Sequence, residues 1–182
     1  MVFFLNSTVV VVLLILGFQD FSKRRISAIL VLSVFLLLFL ISEKTVNVAD
    51  TLKFTFYNAI FFAVQLVLIF LFYLVKRRQF VNVINTYLGF GDILLILAIC
   101  PAFSPVNFIL FYLLGLILTL IVYFGLSLLI NHQGREIPLA GVLSIALVIV
   151  IFLKYLKHDF NPFNDNYFLT ILPSWTQPPI YH

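Results

Sequence analysis

An all-α integral membrane protein, a bundle of about six transmembrane helices with both termini outside, is the fold class this sequence predicts. Three observations predict it. Of the 182 residues, 63% are hydrophobic and 10% charged, against about 45–50% and about 25% in ordinary globular chains. The mean hydropathy is +1.17. The apolar residues also gather into runs near the roughly 20 residues that a spanning helix needs, and the basic residues collect in alternate connections between those runs.

The runs are 2–18, 26–42, 54–75, 87–104, 106–130 and 137–156. The first has no Lys or Arg before it and no small-residue cleavage pattern after it, so it reads as an uncleaved helix rather than a signal peptide. The second is the cleanest. The fourth reaches spanning length only when Gly89 through Asp92 are included, which places Asp92 at or just inside the membrane boundary. Residues 1–157 thus form one transmembrane core. Residues 158–182, rich in Pro, Asn and aromatics, form a short extracytoplasmic or interfacial tail.

Charge sets the expected orientation. Lys23, Arg24, Arg25, Lys76, Arg77, Arg78 and Arg135 fall on one side, and Lys44, Lys53, Lys154 and Lys157 on the other. The positive-inside rule puts the first group, with its two triplets, in the cytoplasm of a multi-pass protein of the inner (plasma) membrane. The net charge of +4 therefore reports topology and implies no nucleic-acid partner. The one cysteine, Cys100, excludes an internal disulfide and a multi-cysteine zinc site. His132, His158 and His182 lack metal-ligand spacing, and no metal or other cofactor is expected.

Asp92 is the only acid between Asp50 and Glu136. A carboxylate near hydrocarbon is costly and usually tied to function. Gly89 and Gly91 precede it, allowing unusual backbone conformations and close approach of another chain. A helix cap at the interface and an acid with a chemical task both remain open for it. Asp20 and Glu136 fall at the same expected membrane depth as Asp92. Asp20 could balance the basic residues after it, and Glu136 reads as a solvated loop or helix-start residue. Two carboxyls facing each other across a bundle cannot both ionise easily, so one holds its proton while the other takes one from water. That is the acid/base logic of peptide hydrolysis by paired aspartates, and it needs no cofactor.

Three segments in order carry a family resemblance: Asp20 through Ile26, Gly89-Phe-Gly-Asp92, and Glu136-Ile-Pro-Leu-Ala-Gly141. Together they resemble the prepilin peptidases, the type IV leader peptidase family with its archaeal preflagellin relatives, over about Leu13 to Leu156. The resemblance implies an aspartic endopeptidase that removes a short basic leader from type IV prepilin-like or pseudopilin-like precursors at the cytoplasmic face. It implies Asp20 and Asp92 as the catalytic pair, and Gly89, Gly91, Ile137 and Pro138 as motif support. Lys23, Arg24, Arg25 and Glu136 become candidate substrate or interface contacts. The partners implied are that precursor and the lipid bilayer.

Ser27, Ala28, Leu94 and Gly141 depart from the family pattern, which often has Pro-Asn, Lys and Pro at the corresponding places. The cysteine-bearing segment of the bifunctional members is not seen, so peptidase activity without methyl transfer is expected. Presenilin-like proteases share Gly-x-Gly-Asp, but Gln19 precedes the first Asp here and Pro-Ala-Leu is missing. The alternatives from other classes are a small ion-coupled transporter using the two acids, and an inactive relative acting in assembly.

Overall fold

The computed structural model of the chain describes residues 2–23, 26–77, 89–129, 138–156 and 161–165. Among them every regular element is helical. α1 spans Val2–Lys23, α2 Ala28–Thr45 and α3 Val48–Arg77. α4 spans Phe90–Ile99 and runs on into a 3-10 turn at Cys100–Ala102; α5 is Pro105–Leu129 and α6 is Leu139–Leu156. Helices are what a chain this apolar must form, because a membrane interior offers the backbone no other hydrogen-bond partners. Five of the six are long and apolar enough to cross a membrane.

α4 corrects the expectation for 87–104. Its 10 residues and the 3-residue turn cover roughly 20 Å, short of a hydrocarbon core of about 30 Å. Hydropathy alone missed this because the apolar run continues through the break. Pro101 has no N–H with which to extend the ladder. The chain then turns through Ser104 into Pro105, a first-turn position where no N–H is needed.

The groups freed at that break find partners. Asn58, buried on α3, donates through Nδ2 to the carbonyls of Cys100 at 2.8 Å and Phe103 at 2.9 Å. Residues 161–165, beyond α6, return onto the start of α5. The Ser104 N–H donates to the Pro162 carbonyl at 3.0 Å, and the Ser104 hydroxyl donates to Asp165 at 2.5 Å. Asn107 Nδ2 donates to the Pro162 and Asn164 carbonyls. Pro162 and Phe163 are buried. This part of the tail is thus packed into the protein.

α2 and α3 form a hairpin through Val46 and Asn47. Asn47 Oδ1 accepts the Asp50 N–H at 2.8 Å and so caps the first turn of α3, and its amide donates to the Asp50 carboxylate at 2.7 Å, tying the two side chains together. Ser42 and Thr51 share a buried hydrogen bond of 2.9 Å across the hairpin. α1 packs between α2 and α6, and α4 packs against α2 and α6. Asn6 of α1 donates to the Tyr155 hydroxyl of α6 at 2.7 Å, so these helices run antiparallel. The end of α1 and the starts of α2, α4 and α6 therefore meet at one end of the bundle.

Candidate active site

α6 begins with an unmet need. Its first intrahelical bond runs from the Val142 N–H to the Pro138 carbonyl at 3.2 Å. Pro138 is thus the residue before the first turn, and Ala140 and Gly141 are the second and third helical positions. A cap residue ordinarily satisfies those amides with a side-chain oxygen, and proline has none. Two other helices supply the oxygens. Asp92 Oδ1, in the first turn of α4, accepts the Ala140 N–H at 3.0 Å. Asp20 Oδ2, near the end of α1, accepts the Gly141 N–H at 2.6 Å. Consecutive helix amides lie about 3 Å apart, so the two accepting oxygens are held within roughly 9 Å of each other.

The surroundings explain how each carboxylate gets there. Asp20 is only 7% exposed. Gly17, one turn before it, faces α6: a Cβ there would stand 3.7 Å from the Gly141 carbonyl oxygen and 3.9 Å from Ser144 Cβ. Small residues on both sides bring α1 and α6 close enough for a short side chain to bridge them. Asp92 is half-buried. The expectation for the motif glycines holds in one respect and not in the other. The Gly89 backbone is extended, with φ −66° and ψ 135°, which any residue adopts. Close approach is the working property. A Cβ on Gly91 would come within 3.1 Å of Ile26 Cδ1, just before α2, and one on Gly89 within 3.0 Å of Asp92 Oδ2.

The structure brings Asp20, Gly89, Gly91, Asp92 and Pro138 to one end of the bundle. Arg24, Arg25, Glu136 and Ile137 lie outside the described residues, and Lys23 is described only as the last residue of α1. The helix-cap alternative for Asp92 is refined: it does cap a helix, but its Oδ1 serves α6. The departures also have local accounts. Ser27 opens α2, its carbonyl accepting the Leu30 and Val31 N–H groups at 3.1 and 3.2 Å. Its own N–H donates to Gln19 Oε1 at 3.4 Å, closing the first loop. Ala28 is exposed, and Leu94 is half-buried against the core. Gly141 supplies an N–H that a proline would lack. Sequence reasoning missed Gln19, Phe21, Gly17 and the two α6 amides. Of these only Gly17, a small residue one turn before Asp20, left a trace in the sequence, and backbone amides leave none.

Chemically, the site offers two carboxyls from different helices and two oriented amides. Among the described residues no group of three or more His, Cys, Asp or Glu side chains stands together. Such a pair suits proton transfer to and from a polar bond. No curated protein and no solved structure matches the chain. One family model, described as the type IV leader peptidase family, matches residues 7–124 and so takes in Asp20 and Asp92. With that match covering more than half of its length, and with the multi-helix apolar architecture around it, the chain belongs to the type IV leader peptidase family.

Proposed function

We propose that this protein is a membrane-embedded aspartic endopeptidase that removes the short basic leader from type IV prepilin-like precursors, with Asp20 and Asp92 as its acid/base pair. The observation that carries the reading is the seating of both carboxylates on consecutive amides of α6. Two acids from distant parts of the chain converge there on adjoining backbone donors in one helical turn.

In this mechanism one carboxylate takes a proton from a water molecule, whose oxygen attacks the scissile carbonyl. The other carboxyl gives its proton to the carbonyl oxygen, forming a neutral gem-diol. As the C–N bond breaks, a proton passes to the leaving amine and the second carboxyl regains its own. Neither a covalent intermediate nor a resident metal is required. A leader peptide lying at the bundle end would place its carbonyl between the acids, with its hydrophobic helix along the lipid-facing sides. Lys76 and Arg77 close α3 at the same end as Asp20 and Asp92. By the positive-inside rule this favours cleavage at the cytoplasmic face.

The test is co-expression with a membrane precursor carrying a basic leader, a glycine before the cut and a hydrophobic helix. Wild-type protein is expected to shorten the precursor, and Asp20→Asn and Asp92→Asn each to leave it intact. Processing by both variants at the wild-type rate would remove the dyad from the mechanism. Cysteine labelling of the first loop from the outer face would overturn the sidedness.

A further inference from the structure

We propose that Gly141 is the positioning residue for Asp20, acting through its backbone N–H and through its lack of a side chain. For its effect on turnover the proposal rests on the peptidase reading above. The N···Oδ2 distance is 2.6 Å, just below the roughly 2.7–2.9 Å usual for charge-assisted bonds from N–H donors. The space beside it is already full. A Cβ on Gly141 would stand 2.8 Å from Phe21 Cε2, 3.0 Å from Phe21 Cδ2 and 3.1 Å from Asp20 Oδ2. Ordinary Cβ contacts do not come so close, so any side chain here must displace the Phe21 ring, the Asp20 carboxylate or both.

The two carboxylates are therefore held differently. Ala140 carries a methyl group and still donates to Asp92, so that seat tolerates a side chain. The Asp20 seat does not. Phe21 follows Asp20 on α1 and lays one edge of its ring over Gly141, while 41% of the residue stays exposed. The Gly141 site is thus bounded on one side by the Asp20 oxygen that its N–H holds and on another by the edge of the Phe21 ring. Glycine is the one residue that supplies the donor and leaves the room.

The test compares Gly141→Ala, Gly141→Pro and the double variant Gly141→Ala/Phe21→Leu with wild type and with Phe21→Leu alone. Turnover of a synthetic leader-bearing peptide in detergent gives kcat and KM. The carboxyl carbon resonance of Asp20, assigned by its loss in Asp20→Asn, reports the seat without reference to activity. Gly141→Ala is expected to lower kcat roughly tenfold with KM within about threefold, and Gly141→Pro to lower it more, as the loss of a bond to a charged group implies. The Asp20 resonance should move in both. Trimming Phe21 should recover a substantial part of the Gly141→Ala loss, and it gives the alanine variant room to fold. An unmoved Asp20 resonance in Gly141→Ala and Gly141→Pro overturns the proposal, whatever the kinetics. If wild type cleaves no leader peptide while the resonance shifts as expected, the peptidase reading fails and the positioning role stands.

Discussion

Replacing Asn58 with leucine tests whether α4 is anchored at the end away from the site. Asn58 is 1% exposed. Its amide is the donor that the structure provides to the carbonyls of Cys100 and Phe103, which are themselves 0% and 2% exposed. Leucine has the same γ-branched skeleton with somewhat bulkier ends, so the change removes two hydrogen bonds and leaves no cavity. Deleting the partner of a buried acceptor costs about 1–3 kcal/mol. Side-chain hydrogen bonds between membrane helices average about 0.6 kcal/mol and reach about 1.7 kcal/mol. Two bonds bracket the loss between about 1 kcal/mol, from two average membrane bonds, and about 6 kcal/mol, from two fully unsatisfied acceptors. The expected value is about 2 kcal/mol, because carbonyls at a 3-10 turn cannot pair within their own helix. Asn58→Asp should cost more, since a carboxylate would face two acceptors and lose its donor. Equilibrium unfolding in mixed micelles, followed by helical circular dichroism as a denaturing detergent is added, measures both. A leucine variant within about 0.5 kcal/mol of wild type would refute the anchoring argument.

Asp20→Asn retains an oxygen that can accept the Gly141 N–H, whereas Asp20→Ala leaves that amide bare. Asparagine should unfold within about 0.5 kcal/mol of wild type and alanine about 1–2 kcal/mol lower. Both should fall below roughly a thousandth of wild-type cleavage. Equal stability of the two variants in the same titration would remove the capping role. Ser144 is 1% exposed, with a hydroxyl that has no hydrogen-bond partner among the described residues. Ser144→Ala should therefore be neutral or stabilise by up to about 1 kcal/mol, and a loss above that size would reveal a partner for the hydroxyl. A Cβ on Gly115 of α5 would fall on Leu143 Cδ2 of α6. Gly115→Ala should cost about 1–3 kcal/mol and be relieved in the double variant with Leu143→Val, which a double-mutant cycle would read directly.

The helical membrane architecture was legible because composition leaves no alternative, and the five long helices follow the apolar runs closely. The length of α4 was not legible. Its hydropathy continues through Cys100, Pro101 and Ala102, and what ends the helix is one missing N–H together with a polar side chain on α3 and a returning segment from beyond α6. Such partners are distant in sequence, 42 residues between Asn58 and Cys100 and 58 between Ser104 and Pro162, so no local pattern announces them. The acids were legible for the opposite reason. A carboxylate in an apolar run stands out by its cost, and alternating helix direction brings Asp20 and Asp92 to one depth before any contact is known.

What holds the acids in place escaped the sequence for a physical reason that also bears on the family match. The match ends at residue 124, before α6 begins, yet α6 supplies the hydrogen bonds on both carboxylates. A backbone amide is common to every residue but proline, so a helix start can be recruited as a double donor with almost any side chains. In this chain residue identity matters there only where a side chain would intrude. Ala140 is free to carry its methyl, while Gly141 is confined between Phe21 and Asp20. The site is therefore assembled from two kinds of part. The acids and the glycines around Asp92 are written in residue identity. The clamp is written in the position at which a helix begins, and Gly141 is the point where that second part becomes visible in the sequence.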